Sequence, residues 1–359
     1  MEHLLDLYTD YLLSSFGQTS ATGLSNLLDG AINHDKITRF LSNSNFTSKD
    51  IWLSVKTLVR EHQTEYGCLI FDDTIIEKLY TDENDLICWH WDHSKGRNIK
   101  GINLLTAFYH TCKHDKEQPL RIPIAIETIK KTVAFCEIKT KKVKRISTIS
   151  KNELMQQMIV QAIANGLVFK HILADSWFAS ADNMKFINQK KKSFIFDMQS
   201  NRLAALSEKD RISGHWTRID ELVISDNTPI KVWLKDLEFP VLMTKQVFIN
   251  KDDSTGFRFL ISNDFSLTDE QFTTIYKKRW GVEEYHKSLK QNASVAKSPT
   301  RTVKTQSNHL LASVFAYIKL ERLKFANKMN HFALKAKIYQ QALKMAFKEL
   351  IILKNVAHA

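Results

Sequence analysis

The sequence lacks several features that would assign a protein to a class at once. No apolar run approaches the ~18 residues of a membrane-spanning helix, and residues 1–6 lack the basic-then-apolar order of a signal peptide. The cysteines are scattered and form no Cys-x-x-Cys pair, which favours reduced thiols in a cytosolic protein over disulfides or a zinc site. There is no internal repeat and no low-complexity tract. These absences predict a cytoplasmic globular protein that does not enter a membrane.

The chain that remains is basic and of ordinary globular composition. Its 359 residues are enough for a sizeable core and more than one domain, and a hydrophobic content of 43% argues against disorder. Lys and Arg number 51 against 39 Asp and Glu, which gives a net charge of +12. This balance suits a polyanionic partner such as nucleic acid, although many basic proteins bind none.

Two apolar runs each end in aspartate. The first covers residues 67–71 and ends in Asp72 and Asp73; the second covers residues 168–174 and ends in Asp175. The helix and the strand expected next cover residues 180–189 and 193–198. Strand, helix and strand in this order predict a parallel sheet in which the strand ends share one edge. Asp73 and Asp175 would lie side by side there, although aspartate is also common in plain strand-ending turns.

The rest of the chain predicts helical ends and a β-rich segment. Helices are expected over residues 4–16, 22–28, 35–41, 48–61, 302–327 and 331–355. Residues 33–41 are compatible with the second helix of a helix-turn-helix or with a structural cap. Alternating runs at residues 230–234 and 240–250, with a turn at 251–256, indicate antiparallel strands.

A histidine-containing loop lies between two of the predicted strands. His90, Asp92 and His93 could ligate a metal, but no fourth ligand follows at zinc-site spacing. A contact to substrate or DNA and a plain loop are the other interpretations.

The most informative stretch covers residues 267–290. Thr268 and Gln271 predict a capping box, and Leu267 with Phe272 predicts a hydrophobic staple at the helix start. Gly281 in mid-helix costs roughly 1 kcal/mol relative to Ala, which indicates a close approach there. At about 100° per residue, five polar side chains fall within an arc of about 80°; they are Tyr276, Arg279, Glu283, Lys287 and Lys290. A solvated face with an ion pair between Glu283 and Lys287 is the alternative interpretation.

The spacing Tyr-x2-Arg-x3-Glu-x6-Lys, after Asp-Thr and Asp-Ser-Trp-Phe, resembles the signature of bacterial insertion-sequence transposases of the DDE type. The resemblance covers residues 66–292. It implies an α/β protein with a ribonuclease H-like mixed sheet and flanking helices. The implied parts are a helical domain at 1–63 able to bind DNA, a core at 64–199 and 264–300, a β-rich insertion at 200–263, and helices at 301–359 that close the core or dimerise.

The resemblance also implies the site residues. Asp73, Asp175 and Glu283 would hold two Mg²⁺ or Mn²⁺ ions, with Asp72 as the alternative to Asp73; Asp73 is preferred because the family's aspartate tends to precede a threonine. Such an all-oxygen site suits hard cations, and two ions can promote an in-line displacement at phosphorus. Tyr276, Arg279, Lys287 and Lys290 would bind the transposon end, and Trp233 is a candidate for holding a flipped base.

The activity implied is metal-dependent DNA strand cleavage and strand transfer. Its partners would be the terminal inverted repeats of the element and target DNA, bound by a homodimer at the bacterial nucleoid. Two alternatives stay open: a catalytically inactive DNA-binding regulator, and a ribonuclease H-like structure-specific nuclease.

Overall fold

The computed structural model describes residues 2–92, 95–112, 118–250 and 252–357. The helices are α1 (Glu2–Ser14), α2 (Ala21–Leu27), α3 (His34–Asn43), α4 (Ser48–His62), α5 (Lys151–Ala164), α6 (Ala181–Gln189), α7 (Glu208–Ser213), α8 (Asp269–Lys277), α9 (Trp280–Gln291), α10 (Val303–Asn327) and α11 (His331–Ala357). Within the described ranges, no helix combines the length and the apolarity that a membrane crossing requires.

The strands form one large mixed sheet and one separate hairpin. They are β1 (Cys68–Glu77), β2 (Cys88–Asp92), β3 (Arg97–Thr111), β4 (Leu120–Thr128), β5 (Val133–Glu137), β6 (Lys142–Ile146), β7 (His171–Ala174), β8 (Ser193–Met198), β9 (Leu203–Ala205), β10 (Thr217–Arg218), β11 (Ile230–Leu234), β12 (Val241–Ile249) and β13 (Thr255–Ser262). The hairpin consists of β5 and β6, which pair with each other.

The centre of the sheet has the order β4-β3-β1-β7-β8. Strand β1 pairs antiparallel with β3, and β3 pairs antiparallel with β4. On the other side, β1 pairs parallel with β7, and β7 pairs parallel with β8. The residues of β1 from Cys68 to Phe71 are fully buried, as expected for a central strand covered on both faces. This order and these directions are the ribonuclease H-like arrangement, so the predicted fold class is confirmed.

The strands of residues 200–263 continue the same sheet. Strand β13 pairs antiparallel with β8, and β12 pairs antiparallel with β13. Strands β11, β9 and β10 extend the sheet further. The predicted antiparallel pairing is therefore confirmed; in the turn expected at 251–256, Lys251 lies outside the described residues.

The amino-terminal helices pack against α10. The Tyr8 hydroxyl lies 2.9 Å from His309 Nδ1, and the Asn308 side-chain amide donates to the carbonyl oxygen of Leu41 at 2.8 Å. In α3, Ile37 and Phe40 pack into the same hydrophobic core as the residues of the sheet. The opposite face of this helix carries polar side chains. The buried face of α3 therefore has the role of a structural cap, and its polar face is exposed.

The helix predicted from Thr268 onward is two helices. Its start is as expected, because Thr268 and Gln271 form a capping box. Between α8 and α9, however, the amide groups of Lys278, Arg279 and Gly281 donate to carbonyl oxygens three residues earlier. Such bonds are those of a 3₁₀ turn, which is wound more tightly than an α-helix. The prediction of one uninterrupted α-helix is therefore wrong, although Lys278 and Arg279 keep helical backbone angles at the junction.

Of the predicted histidine loop, His93 lies outside the described residues. His90 and Asp92 belong to β2, which pairs with the start of β3.

Candidate active site

The two adjacent aspartates lie inside β1 and not at its end. The strand continues to Glu77, whereas its parallel partner β7 pairs only with Cys68–Ile70 and ends at Ala174. Asp72 and Asp73 therefore lie where β1 parts from β7. Because side chains alternate along a strand, the two carboxylates point to opposite faces of the sheet.

Asp72 faces helix α9. Its Oδ2 lies 3.9 Å from Arg279 Nη1 and 3.7 Å from His286 Nδ1, and its side chain is 15% exposed. Burial lowers the pKa of His286 to about 3, so this imidazole is neutral and its contact with Asp72 is not an ion pair. Two residues further along β1, Thr74 Oγ1 accepts a hydrogen bond from Lys290 Nζ at 2.7 Å. Helix α9 thus covers the face of β1 on which Asp72 lies.

Asp73 faces the start of helix α5 on the other side of the sheet. Its Oδ2 lies 2.7 Å from the ammonium group of Lys151, the first residue of α5. The preference for Asp73 over Asp72 rested on the threonine that follows it. The side-chain directions instead bring Asp72 to the helix that carries Glu283.

Asp175 follows β7 and accepts a hydrogen bond from the backbone amide of Trp177 at 3.0 Å. The strand registers place it in a row of aspartates. Ile70 pairs with Leu173, so two residues further along Asp72 comes level with Asp175. Ala174 pairs with Phe196, so one residue further along Asp175 comes level with Asp197. The registers therefore place an aspartate at one level in β1, directly after β7 and in β8.

Glu283 belongs to the first turn of α9 and is bridged to the row by Arg279. Arg279 Nη2 lies 2.6 Å from Glu283 Oε1, and Nη1 of the same guanidinium lies 3.9 Å from Asp72 Oδ2. The Tyr276 ring centroid lies 5.7 Å from the Arg279 guanidinium, and the Tyr276 hydroxyl donates to the Ala174 carbonyl oxygen at 3.4 Å. Tyr276 therefore connects α8 to the end of β7, and Arg279 connects Glu283 of α9 to Asp72 of β1.

The acidic side chains perturb one another. Burial raises the pKa of Asp72 to about 8; the neighbouring Arg279 opposes this rise, and the carboxylates of Asp175, Asp73 and Glu283 add to it. Burial also raises the pKa of Asp175, with a contribution from Asp73. The pKa of Asp197 is raised by burial and by Asp175. Burial is the largest cause of the raised pKa in each of the three groups, and neighbouring carboxylates add to it.

The site fits a divalent cation in its chemistry but not in its present side-chain positions. All the candidate ligands are carboxylates, which hard cations such as Mg²⁺ prefer. Among the residues that the structure describes, however, no three His, Cys, Asp or Glu side chains form a group ready to hold a metal ion. The carboxylates of Glu283 and Asp73 are paired with Arg279 and Lys151 instead.

Two of the predicted DNA-contacting residues are not brought to the carboxylates. Lys287 is exposed, and its ammonium lies 5.2 Å from the centroid of the Phe332 ring on α11. Trp233 is only 8% exposed, and the Arg211 guanidinium lies 4.3 Å from its ring centroid. A base could stack on Trp233 only after Arg211 moves. The roles of both residues stay predictions.

Gly281 does not mark a close approach. A Cβ atom added there would meet His110, Phe108 and Arg121 at 3.5–3.7 Å, which is ordinary van der Waals contact. The prediction of a tight contact at this glycine is therefore wrong.

Besides His286, sequence reasoning missed three residues next to the carboxylates. Asp197 follows an apolar run within β8, which is similar to the pattern that identified Asp175, so it could have been found. Lys151 gives no such signal, because only the fold places the start of α5 beside β1. Arg258 on β13 has its Nε 3.7 Å from Asp197 Oδ2 and its guanidinium 5.5 Å from the Tyr276 ring centroid.

A sheet of this order, with carboxylates where its parallel strands end, defines a protein of the ribonuclease H-like class. A family model described as "Transposase DDE domain" matches residues 64–319. Because the match covers well over half of the 359 residues, the chain belongs to this family of DDE transposases. The predicted family is therefore confirmed.

The other comparisons add little. No curated protein matches the chain. Among solved structures, the chain is similar to the Drosophila P element transposase strand transfer complex, with 12% identity and a TM-score of 0.25. The match covers 52% of this chain and 36% of that one. At this TM-score the likeness carries no argument.

Proposed function

We propose that this transposase cuts an insertion sequence out of DNA and joins it to a target, acting on the terminal inverted repeats of the element. The observation that carries the proposal is the arrangement at the end of β7. Asp72 and Asp175 lie level on neighbouring strands, and Glu283 faces them from α9 with Arg279 between. Family membership and a net charge of +12 support DNA as the substrate.

We propose that Asp72, Asp175 and Glu283 hold the divalent cations, two Mg²⁺ or Mn²⁺ ions, with Asp73 as the alternative first ligand. Bound there, such ions supply Lewis-acid activation of the attacking oxygen and stabilisation of the leaving oxygen. Burial is the main cause of the raised pKa values of Asp72 and Asp175, and neighbouring carboxylates add to it; a bound cation would favour the charged form of both groups.

Arg279 has two competing partners in this proposal. In the structure its guanidinium pairs with Glu283 and approaches Asp72. Guanidinium groups bind phosphate as readily as carboxylate, through the same fork of N–H donors. A DNA phosphate beside Tyr276 would therefore draw Arg279 from Glu283 and leave that carboxylate free for a metal ion. Lys290 and Lys287 would extend the phosphate contacts along α9.

We propose that the transposase acts as a homodimer on DNA and that α11 contributes to the interface. From Tyr339 onward the residues of α11 whose side chains are described are all exposed, although many are large and apolar. These side chains are Tyr339, Leu343, Met345, Phe347, Leu350, Ile351, Ile352 and Leu353. Apolar patches of this extent mark interaction surfaces.

The exposed polar face of α3 is proposed as a further DNA contact.

The test is a cleavage assay with duplexes that carry the inverted repeats flanking the gene. In Mg²⁺, the protein should nick these ends and join a pre-cut end to target DNA. Asp175→Asn and Glu283→Gln should abolish both reactions while leaving DNA binding in a gel-shift assay largely intact. Full activity in either variant would refute the site assignment.

The same assay tests the alternative of an inactive DNA-binding regulator. Specific binding of the ends without any nicking in Mg²⁺ or Mn²⁺ would support this alternative. Nicking without joining would support a structure-specific nuclease.

A further inference from the structure

We propose that Lys151 and Trp177 form a nucleotide subsite on the α5 side of the carboxylates, where Trp177 stacks on a base and Lys151 binds the adjacent phosphate. The proposal rests on the proposed function, since it takes DNA to be the substrate. It concerns the face of the sheet opposite α9, to which the family signature of residues 276–290 assigns nothing.

Trp177 is held in place next to Asp175. Its backbone amide donates to Asp175 Oδ1 at 3.0 Å, and the amide of Phe178 donates to the Asp175 carbonyl oxygen. The backbone on both sides of the ring is thus fixed to the aspartate. The side chain itself is 52% exposed. A large aromatic ring is therefore presented to solvent within two residues of a proposed metal ligand.

Lys151 links this ring to β1. Its ammonium lies 5.3 Å from the centroid of the Trp177 ring and 2.7 Å from Asp73 Oδ2. The ammonium group can bind a phosphate and the exposed ring can stack on a base, so the pair matches the phosphate and the base of a nucleotide. Base stacking on aromatic rings tolerates any sequence, and lysine binds phosphate as a point charge.

The position of the subsite indicates how it would help to orient the DNA. Arg279 and Lys290 lie on the α9 side of β1, whereas Lys151 and Trp177 lie on the α5 side. A DNA strand that crosses the end of β7 would be bound on both sides of the reacting phosphate. Such two-sided binding fixes the phosphate against the carboxylates, which is what an in-line reaction requires. Trp177 is thus a positioning residue and not a catalytic one.

The experiment uses the full-length protein and a duplex of the flanking inverted repeat, with 2-aminopurine placed in turn at each base near the cleavage site. In the wild type, one position should show fluorescence quenching on binding. Trp177→Ala should abolish that quenching and weaken binding roughly ten- to hundredfold, the range of one base stacked on an aromatic ring. Trp177→Phe should recover part of both. Lys151→Ala should lower the salt dependence of binding by about one phosphate contact.

Tyr66→Ala is the matched control. Tyr66 is an aromatic residue with 66% exposure that precedes β1 at the end away from the aspartates. It should change neither quenching nor affinity. Equal effects of Trp177→Ala and Tyr66→Ala, or quenching that survives Trp177→Ala, would overturn the subsite while leaving the proposed function standing. A wild type that neither binds nor cleaves these ends would overturn both.

Discussion

Arg279→Ala should tighten the binding of a divalent cation to the DNA-free protein. In the present arrangement Arg279 pairs with Glu283 at 2.6 Å and lies 3.9 Å from Asp72. It therefore competes with a metal ion for two of the three proposed ligands. Removing the guanidinium both frees Glu283 and removes a positive charge from the site, so the two effects act in the same direction.

The magnitude follows from the distances. At 3.9 Å, unit charges such as those of Arg279 and Asp72 attract each other by about 4 kcal/mol at an effective dielectric constant of ~20. Their side chains are 16% and 15% exposed, so water weakens the interaction. If the metal ion gains about half of this attraction, its binding free energy becomes more favourable by about 2 kcal/mol. The affinity for the ion then rises roughly thirtyfold.

The assay is Mn²⁺ binding to the DNA-free protein at pH 8.5, above the pKa of about 8 of Asp72, measured by electron paramagnetic resonance or calorimetry. The control is Lys287→Ala, which removes another cation of α9 that lies against Phe332. The Mn²⁺ affinity of Lys287→Ala should equal that of the wild type.

For DNA, the affinity should change in the opposite direction, because Arg279→Ala should weaken end binding and reduce its salt dependence. If Arg279→Ala binds Mn²⁺ no more tightly than the wild type does, the competition is refuted.

Three further predictions test the site and its surroundings. Asp72→Asn should abolish nicking, whereas Asp73→Asn should reduce it less, since only Asp72 faces α9; the reverse order in a cleavage assay would restore Asp73 as the ligand. The pKa of Asp72 is about 8 in the folded protein and roughly 3.9 when unfolded, so the folded state holds the extra proton between these values. Stability in EDTA should therefore fall as pH rises from about 4 to about 8, by up to roughly 1.4 kcal/mol per unit, and urea unfolding of Asp72→Asn should show a smaller fall. Gly281→Ala should stabilise the protein by roughly 0.5–1 kcal/mol, because the site accepts a methyl group and alanine favours the helix; a lower midpoint of urea unfolding would show that the neighbours cannot accommodate it.

The sequence alone determined most of the secondary structure and the places where the acidic side chains occur. Helix starts were predictable because capping is local: Thr268 with Gln271, and Ser150 at the start of α5, bond to amides within three residues. Apolar runs that end in aspartate were visible for the same reason, as was the alternation that marks β12. The family signature then connected Asp175 and Glu283, which lie more than 100 residues apart in the chain.

Only the tertiary structure decided which side chains meet. Asp72 and Asp73 are indistinguishable to a local pattern, and their faces are set by β1 continuing in register with β3 beyond the end of β7. Lys287, one turn beyond Glu283 on α9, lies against Phe332 of α11, and the packing of β11 buries Trp233 under Arg211. Lys151 reaches Asp73 across 78 residues. Such contacts depend on how helices pack across the sheet, which short-range periodicity does not encode.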